Sequence, residues 1–408
     1  MGEHAISYMS RVGQYRAFYE NLEVGEGTLP PFINLTIGGV YRITPPRVEA
    51  ANAHRSYVTT VTPEQRAIVA DIMKNLGVNV RPDQVNLSSM RSKLALQHIL
   101  GLFRPGVVVA HTPSYRSTLD SAKIDHGHRV VGVPVNAGRY SALFDEVRHQ
   151  ASMPQNKHLP IILLLVDPHN PSAIGMRLDE VDELYDLIKS CPNVSVLHDN
   201  AYQGYHKDAV DYTKPWRDDG MPHPGQVYVS IMSTSKSVYG SGQPAIYMAD
   251  KNTMPFLEDH YQRMGTGPTS TFVHDLGYYR DTLDNTYMPS VETNLLRPLM
   301  DFVDANMERW GVKYLMRPDG PPFITLDVRD KLVELGLSNK GLREMSLRLG
   351  GPVLIDKGNL RISLTGFDKS THGEVLPHIK EKIDMILSLT REDPLVVAFK
   401  EANPFYAV

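Results

Sequence analysis

The feature that most constrains this chain is a series of short apolar segments separated by amphipathic helical patterns. The most apolar segment, Ile161–Val166, reads IILLLV without a polar interruption. Such a run is typical of a strand buried on both faces, as in a parallel sheet covered by helices. Further strands are predicted at residues 107–110, 130–135, 194–198, 227–232 and 245–248. The pattern predicts a three-layer α/β/α domain whose sheet is mainly parallel.

Helices are predicted from their start and stop signals as well as from their periodicity. Residues 62–65 read TPEQ, a capping box with proline in the first turn, and Gly77 follows the last apolar position. A second helix is predicted to begin near Ser92, with Leu94 on its apolar face, and to end before residues 104–106.

The pattern changes after about residue 250, where strands give way to long helical stretches, notably residues 294–310. A smaller α+β segment follows, with strands predicted at residues 323–328 and 360–364. We therefore expect residues 51–285 to form the large domain and residues 286–408 a small domain. Residues 1–50 are expected to be an N-terminal arm that belongs to the small domain.

Charge and cysteine content limit the kinds of partner. The 42 basic and 46 acidic residues give a formal charge of -4, which predicts no basic surface for nucleic acid or a membrane. The longest aliphatic run is far shorter than the ~20 residues that span a bilayer. A single cysteine, Cys191, excludes an intrachain disulfide, and no targeting signal or metal site is evident. We expect a soluble cytoplasmic protein that acts on a small molecule.

Polar side chains follow four of the predicted strands. The segments are HTPSY with Tyr115, DPHNP with Asn170, HDNAY with Asp199 and Tyr202, and STSK with Lys236. Because the carboxyl ends of parallel strands meet at one edge of a sheet, these groups are expected to lie together. An aromatic ring, an amide, a carboxylate, a phenol and a lysine suit a flat, anionic, heteroaromatic cofactor such as pyridoxal phosphate.

The order and spacing of these motifs resemble the fold-type I pyridoxal-phosphate enzymes, specifically the class I/II aminotransferase family, from about residue 33 to residue 366. The resemblance implies an aspartate-aminotransferase-like fold whose large domain binds the cofactor. It implies that Lys236 is the Schiff-base lysine and that Asp199 is the partner of the pyridine nitrogen. Tyr202 and Asn170 would bind the ring oxygen, and Tyr115 would stack on the ring.

The same resemblance implies how the phosphate and the substrate are bound. The residues matched to the phosphate are Ser89, Met90, Ser233, Ser235 and, from the neighbouring subunit, Tyr57. Arg361 matches the arginine that binds the α-carboxylate of an amino-acid substrate. Gly38 lies in a segment that resembles the loop that closes over the substrate, and Asn170 would also contact the substrate. The family builds its site at a subunit interface, which implies a homodimer with a shared active site.

Three motifs depart from the family pattern. Residues 88–91 read SSMR where the family has a small, often glycine-rich loop that binds the phosphate. Eight residues after Lys236, where the family usually has a phosphate-binding arginine, residues 241–244 read SGQP, so Arg91 or Lys93 is a candidate to replace that charge. Residues 170–173 read NPSA where NPTG is usual. The resemblance favours an aminotransferase. It leaves open elimination, replacement or cyclisation, for example on S-adenosylmethionine or an arginine derivative, and a catalytically silent ligand-binding relative.

Overall fold

The structure is a computed structural model that describes residues 12–14, 16, 31–36, 61–88, 90–206, 210–237, 245–263, 270–283 and 286–407. The chain divides into two compact units. One contains Met1–Gly38 and Pro289–Val408, and the other contains Gly39–Met288. We call them the small unit and the large unit.

The large unit is built on a sheet that has seven strands within the described residues. They are β1 (Val85–Ser88), β2 (Val107–Thr112), β3 (Arg129–Pro134), β4 (Ile161–Val166), β5 (Val194–Asp199), β6 (Tyr228–Ser233) and β7 (Ala245–Ala249). The strand order is β1-β7-β6-β5-β4-β2-β3. Strands β3, β2, β4, β5 and β6 are parallel, whereas β7 is antiparallel to β6 and β1 is antiparallel to β7. The predicted mainly parallel sheet is confirmed.

Helices connect these strands. They are α1 (Pro63–Asn75), α2 (Ser92–Leu100), α3 (Arg116–Ile124), α4 (Arg139–Ser152), α5 (Leu178–Ser190), α6 (Lys214–Arg217), α7 (Thr234–Ser237), α8 (Met254–Arg263) and α9 (Ser270–Thr282), with short 3-10 turns at Pro82–Gln84, Val135–Ala137 and Pro154–Asn156. The capping box before α1 forms as predicted, since Thr62 Oγ1 accepts from the Gln65 backbone N-H and the Gln65 side chain accepts from the Thr62 N-H. None of the described helices is both long and apolar enough to cross a bilayer.

The core of the large unit lies on the faces of the central strands. Every residue of β4 is buried, as its uninterrupted apolar sequence predicts. On one face, Leu96 and Ile99 of α2 and Leu257 of α8 belong to the same buried cluster as Leu164 of β4. The prediction that Leu94 belongs to the apolar face of α2 is wrong, because its side chain is 54% exposed. The helical period places Leu94 away from Leu96 and Ile99, which face the sheet.

The small unit contains a four-stranded antiparallel sheet within the described residues, in the order β10-β11-β9-β8. Its strands are β8 (Lys313–Tyr314), β9 (Phe323–Asp327), β10 (Leu354–Asp356) and β11 (Asn359–Ser363). The helices after residue 286 are α10 (Tyr287–Val291), a π-helical turn (Glu292–Leu296), α11 (Arg297–Trp310), α12 (Arg329–Leu335), α13 (Asn339–Arg348), α14 (His372–Leu387) and α15 (Pro394–Ala402), followed by a 3-10 turn at Pro404–Tyr406; a further 3-10 turn at Lys369–Thr371 precedes α14.

Residues 31–36 attach to the small unit through backbone hydrogen bonds. The Ile33 N-H donates to Gly350 O at 2.9 Å, and the Ser363 N-H donates to Leu35 O at 2.9 Å. These bonds join positions more than 300 residues apart in the chain, so the start of the described chain packs with its end.

Candidate active site

Neighbouring strands β4, β5 and β6 bring the predicted site residues of the large unit to one edge of the sheet. Val166, the last residue of β4, is in register with Asp199, the last residue of β5, and Asp199 is in register with Ile231 of β6. Two residues later β6 ends, and α7 begins with Lys236 in its single turn. The carboxyl ends of these strands therefore meet, as the sequence predicts.

Asp199 is a buried carboxylate with little to neutralise it. Its side chain accepts one hydrogen bond, from the Ala201 N-H at 3.2 Å, and the residue is 8% exposed. Burial raises the pKa of Asp199 to about 6, although the Ala201 N-H and the positive charge of Lys236 act in the opposite direction. A cationic pyridine nitrogen would supply the missing charge, so this carboxylate fits pyridoxal phosphate.

Lys236 contacts two tyrosines, one through its side chain and the other through its backbone. Its Nζ lies 5.8 Å from the centre of the Tyr202 ring, and its backbone carbonyl accepts a hydrogen bond from the Tyr205 hydroxyl. The two rings pack edge to face with centroids 5.3 Å apart. This packing restricts the lysine, and its amine lies within the electrostatic reach of Asp199. A lysine amine at the end of a strand of the sheet fits covalent attachment of an aldehyde cofactor.

Asn170 lies on a loop that is fastened to the sheet. The Asp167 side chain accepts from the Tyr140 hydroxyl at 3.0 Å and from the Met176 N-H at 2.7 Å. His169 supports the same loop, because its backbone N-H donates to Ile174 O at 2.8 Å. Asn170 itself is half-buried. The loop can therefore hold an amide in one position at the edge of the sheet.

Sequence reasoning missed the structural role of Asp167 and Tyr140. Asp167 begins the DPHNP motif directly after β4, so its position in the sequence could have indicated a role near the site. No sequence pattern indicates the role of Tyr140, because its contact with Asp167 joins two elements separated by 27 residues. Burial raises the pKa of Asp167 to about 6 and that of Tyr140 well above its ordinary value.

Three buried histidines lie at the same strand ends. They are His111, His169 and His198, each at most 1% exposed. Burial lowers the pKa of His111 to about 4 and that of His198 to about 3, and it lowers the pKa of His169 well below its usual value. Burial therefore favours the neutral imidazole in all three.

Two of the residues predicted to bind the phosphate, Met90 and Ser233, are brought together through backbone contacts with Ala245. Ala245 is in register with both Ser88 and Ser233, and its N-H donates to Met90 O at 3.0 Å. The helix α2 begins two residues after Met90, and its N-cap residue, Arg91, makes no side-chain capping bond. First-turn N-H groups that lack a side-chain cap fit an anionic group.

The remaining predicted residues differ in how far the structure describes them. Tyr115 precedes α3, and its 40% exposure leaves its ring accessible for stacking. In the small unit, Arg361 donates from Nη2 to Thr36 O at 3.1 Å, and its guanidinium carbon lies 4.2 Å from the centre of the Phe323 ring. Ser89, Tyr57, Gly38, the side chain of Ser235 and residues 241–244 lie outside the described part of the chain.

Solved structures with the same fold are aminotransferases. Aspartate aminotransferase from Thermus thermophilus with maleate superposes with a TM-score of 0.66 at 14% identity, covering 94% of this chain and 97% of that one. An aminotransferase from Mycobacterium tuberculosis gives 0.67 at 18% identity, covering 93% and 97%. Kynurenine aminotransferase from Pyrococcus horikoshii gives 0.65 at 18% identity, covering 94% and 95%. The predicted aspartate-aminotransferase-like fold is confirmed.

Sequence comparison identifies the family. No curated protein sequence matches this chain. The model of the family described as aminotransferase class I and II matches residues 32–253, which are more than half of the 408 residues. This match favours transamination over the elimination, replacement and cyclisation alternatives. The chain belongs to the class I and II aminotransferases, a family of pyridoxal-phosphate-dependent enzymes.

Proposed function

We propose that this enzyme transfers the amino group of an α-amino acid to an α-keto acid, with Lys236 as the residue that carries the proton at the substrate Cα. The observation that supports this assignment is that Lys236 lies just after the end of β6, in electrostatic reach of the buried Asp199 carboxylate at the end of the adjacent strand β5. Pyridoxal phosphate, when bound, supplies an electron sink for the pair of electrons released at Cα.

The other roles in binding the cofactor and moving the proton are proposed for residues of the large unit. Asp199 keeps a proton on the pyridine nitrogen, and the low-dielectric surroundings that raise its pKa strengthen that ion pair. Asn170 and Tyr202 donate hydrogen bonds to the ring oxygen, and Tyr115 stacks on the ring face. With its amine free, Lys236 would take the proton from the substrate Cα and deliver it to the cofactor carbon.

Phosphate and carboxylate binding are proposed from the family resemblance. Ser89, Met90, Ser233 and Ser235 bind the phosphate around the start of α2, with Arg91 or Lys93 as the added cation; both of these side chains are exposed. Arg361 binds the substrate α-carboxylate, and Gly38 lies in the segment that closes over it.

Assembly and location are also proposals. We infer a homodimer in which Tyr57 of each subunit reaches the phosphate bound by the other. We infer a cytoplasmic enzyme from the single cysteine, Cys191, which is free.

An absorbance titration tests the reaction. Purified protein is saturated with pyridoxal phosphate and then mixed with single α-amino acids or S-adenosylmethionine. We expect conversion to the pyridoxamine form with one equivalent of keto acid. Product formed while the cofactor stays in the pyridoxal form would contradict transamination and indicate elimination, replacement or cyclisation.

Lys236→Ala tests the assigned residue. We expect kcat to fall by at least about 10⁴-fold, because the variant loses both the attachment point and the proton carrier. Lys123→Ala, which removes an exposed lysine of α3 in the same unit, is the matched control and should leave kcat unchanged. A Lys236→Ala rate within tenfold of the unmodified enzyme would refute the assignment.

A further inference from the structure

A cavity lies at the edge of the large-unit sheet opposite the strand ends that form the candidate active site. It has a volume of about 500 Å³, within the range of pockets that bind small organic ligands. Residues that precede β4, β5 and β6 line it, including Lys157, Pro192 and Gly225. Because each of these strands has six residues and rises ~3.3 Å per residue, the cavity lies ~20 Å from the strand ends that carry Lys236. It is separate from the candidate active site.

Part of the wall of this cavity is apolar. Ile99 at the end of α2 and Phe103 just after it line one side, and Phe256 and Leu257 of α8 line another. The Phe256 side chain is 53% exposed, which is unusual for a large aromatic residue next to a core cluster. An exposed phenyl ring at the mouth of an apolar cavity offers contact area to a ligand that carries a hydrocarbon body.

The arginine and the lysine of the described lining both carry positive charge. Arg104 and Lys157 line the cavity, and no Asp or Glu is present among the described residues that do. The Arg104 guanidinium donates to the His158 carbonyl, which orients the arginine at the rim. Ser195 also lines the cavity, and its Oγ accepts a hydrogen bond from the Val227 N-H at 3.1 Å. The charge at this site therefore favours a negative ligand.

We propose that this cavity, which we call the amino-edge pocket, binds an amphiphilic organic anion, with the hydrocarbon body between α2 and α8 and the anionic group at Arg104 and Lys157. The site does not depend on the assignment of the reaction at Lys236.

Calorimetric titration of the holoenzyme with decanoate, decanol and decylammonium tests the proposal. The three probes share one hydrocarbon chain and differ in charge. We expect decanoate to bind with one molecule per chain and at least about tenfold more tightly than decylammonium. Decylammonium binding as tightly as decanoate would overturn the proposal.

Charge-removing variants locate the binding. We expect Lys157→Gln and Arg104→Gln each to weaken decanoate binding by about fivefold, the scale of one partly exposed ion pair. Lys74→Gln, an exposed lysine of α1, is the control and should have no effect. Lys157 is exposed on a loop, so its variant tests the pocket even if Arg104→Gln disturbs the His158 segment. Unchanged affinity in both variants would refute the site.

Two further variants distinguish the pocket from other sites. Leu159→Trp places an indole in the half-buried lining and should weaken decanoate binding more than tenfold while leaving kcat unchanged. Arg361→Leu should leave decanoate binding intact. Binding that is lost in Arg361→Leu but kept in Lys157→Gln would assign the probe to the substrate carboxylate site and overturn the proposal.

Discussion

The two edges of the large-unit sheet are built from the same strands but carry different chemistry. At the carboxyl edge, Asp199 and Asp167 are buried carboxylates whose pKa values are raised to about 6. At the amino edge, the described lining of the pocket contains cations and apolar side chains but no acid. The carboxyl edge therefore holds buried acids whose charge can change near neutral pH, whereas the charged side chains in the described lining of the amino edge are an arginine and a lysine.

This difference shows what separates a site for chemistry from a site for binding. Proton transfer needs groups whose pKa lies near the working pH, and burial at the carboxyl edge produces them. Arg104 and Lys157 at the amino edge are exposed cationic side chains that can attract an anion. Substitutions at the carboxyl edge should change rates, and those at the amino edge should change affinity alone.

Asp199→Asn should lower the catalytic rate, which depends on the carboxyl edge, and leave ligand binding at the amino edge unchanged. We expect kcat to fall by about 100-fold or more, because the amide cannot hold a proton on the pyridine nitrogen. Decanoate affinity should stay within twofold of that of the unmodified enzyme. The matched control is Asp219→Asn, an exposed acid of the same unit. Steady-state kinetics and calorimetry measure both effects, and an undiminished kcat would contradict the role of Asp199.

Tyr140→Phe should loosen the carboxyl edge without removing a residue that contacts the cofactor. The variant deletes the hydroxyl whose single proton is shared between Val166 O at 2.8 Å and Asp167 Oδ1 at 3.0 Å. We expect the free energy of unfolding to fall by about 1–3 kcal/mol, the usual cost of leaving a buried polar group short of a partner. Urea unfolding measures the loss. Tyr185→Phe, on α5, is the control, and equal stability of the two variants would show that the Asp167 anchor is unimportant.

The smallest expected effect is a pH dependence confined to the carboxyl edge. The pKa of Asp199 is raised from 3.8 to about 6 in the folded protein, so its contribution to stability is full below pH ~4 and is lost as the pH rises through 6. Between pH 5 and pH 8 the unmodified apoenzyme should lose about 1.4 kcal/mol more than Asp199→Asn, which cannot ionise. Urea unfolding at both pH values tests this; a larger loss in the variant would reverse the sign and contradict the burial argument.

Local signals predicted the regular elements well wherever packing agreed with them. Strand β4 lies where its uninterrupted apolar run predicts, and α1 begins at its capping box. The helix predicted over residues 294–310 begins instead at Arg297, because the chain first makes a π-helical turn at Glu292–Leu296. A π-helical turn has i to i+5 hydrogen bonds, and a single such turn is too short to give the spacing of apolar residues that would distinguish it from an α-helix in the sequence.

The candidate site was predictable where its residues end strands. Asp199, Asn170 and Lys236 each follow an apolar run, and parallel strands carry such residues to one edge whatever the details of packing. The support of the site was not predictable, because the bond between Tyr140 and Asp167 depends on how α4 packs against the loop after β4.

The sequence by itself determined the α/β class, the strand ends that carry the chemistry and the family, because local periodicity and motif order are written along the chain. Only the tertiary structure decided which carboxylates lack a counter-charge and where the amino-edge pocket lies. Burial depends on neighbours far apart in sequence, and the pocket is lined from α2, α8 and three separate loops. Such a pocket has no contiguous sequence motif, since its lining is assembled by packing alone.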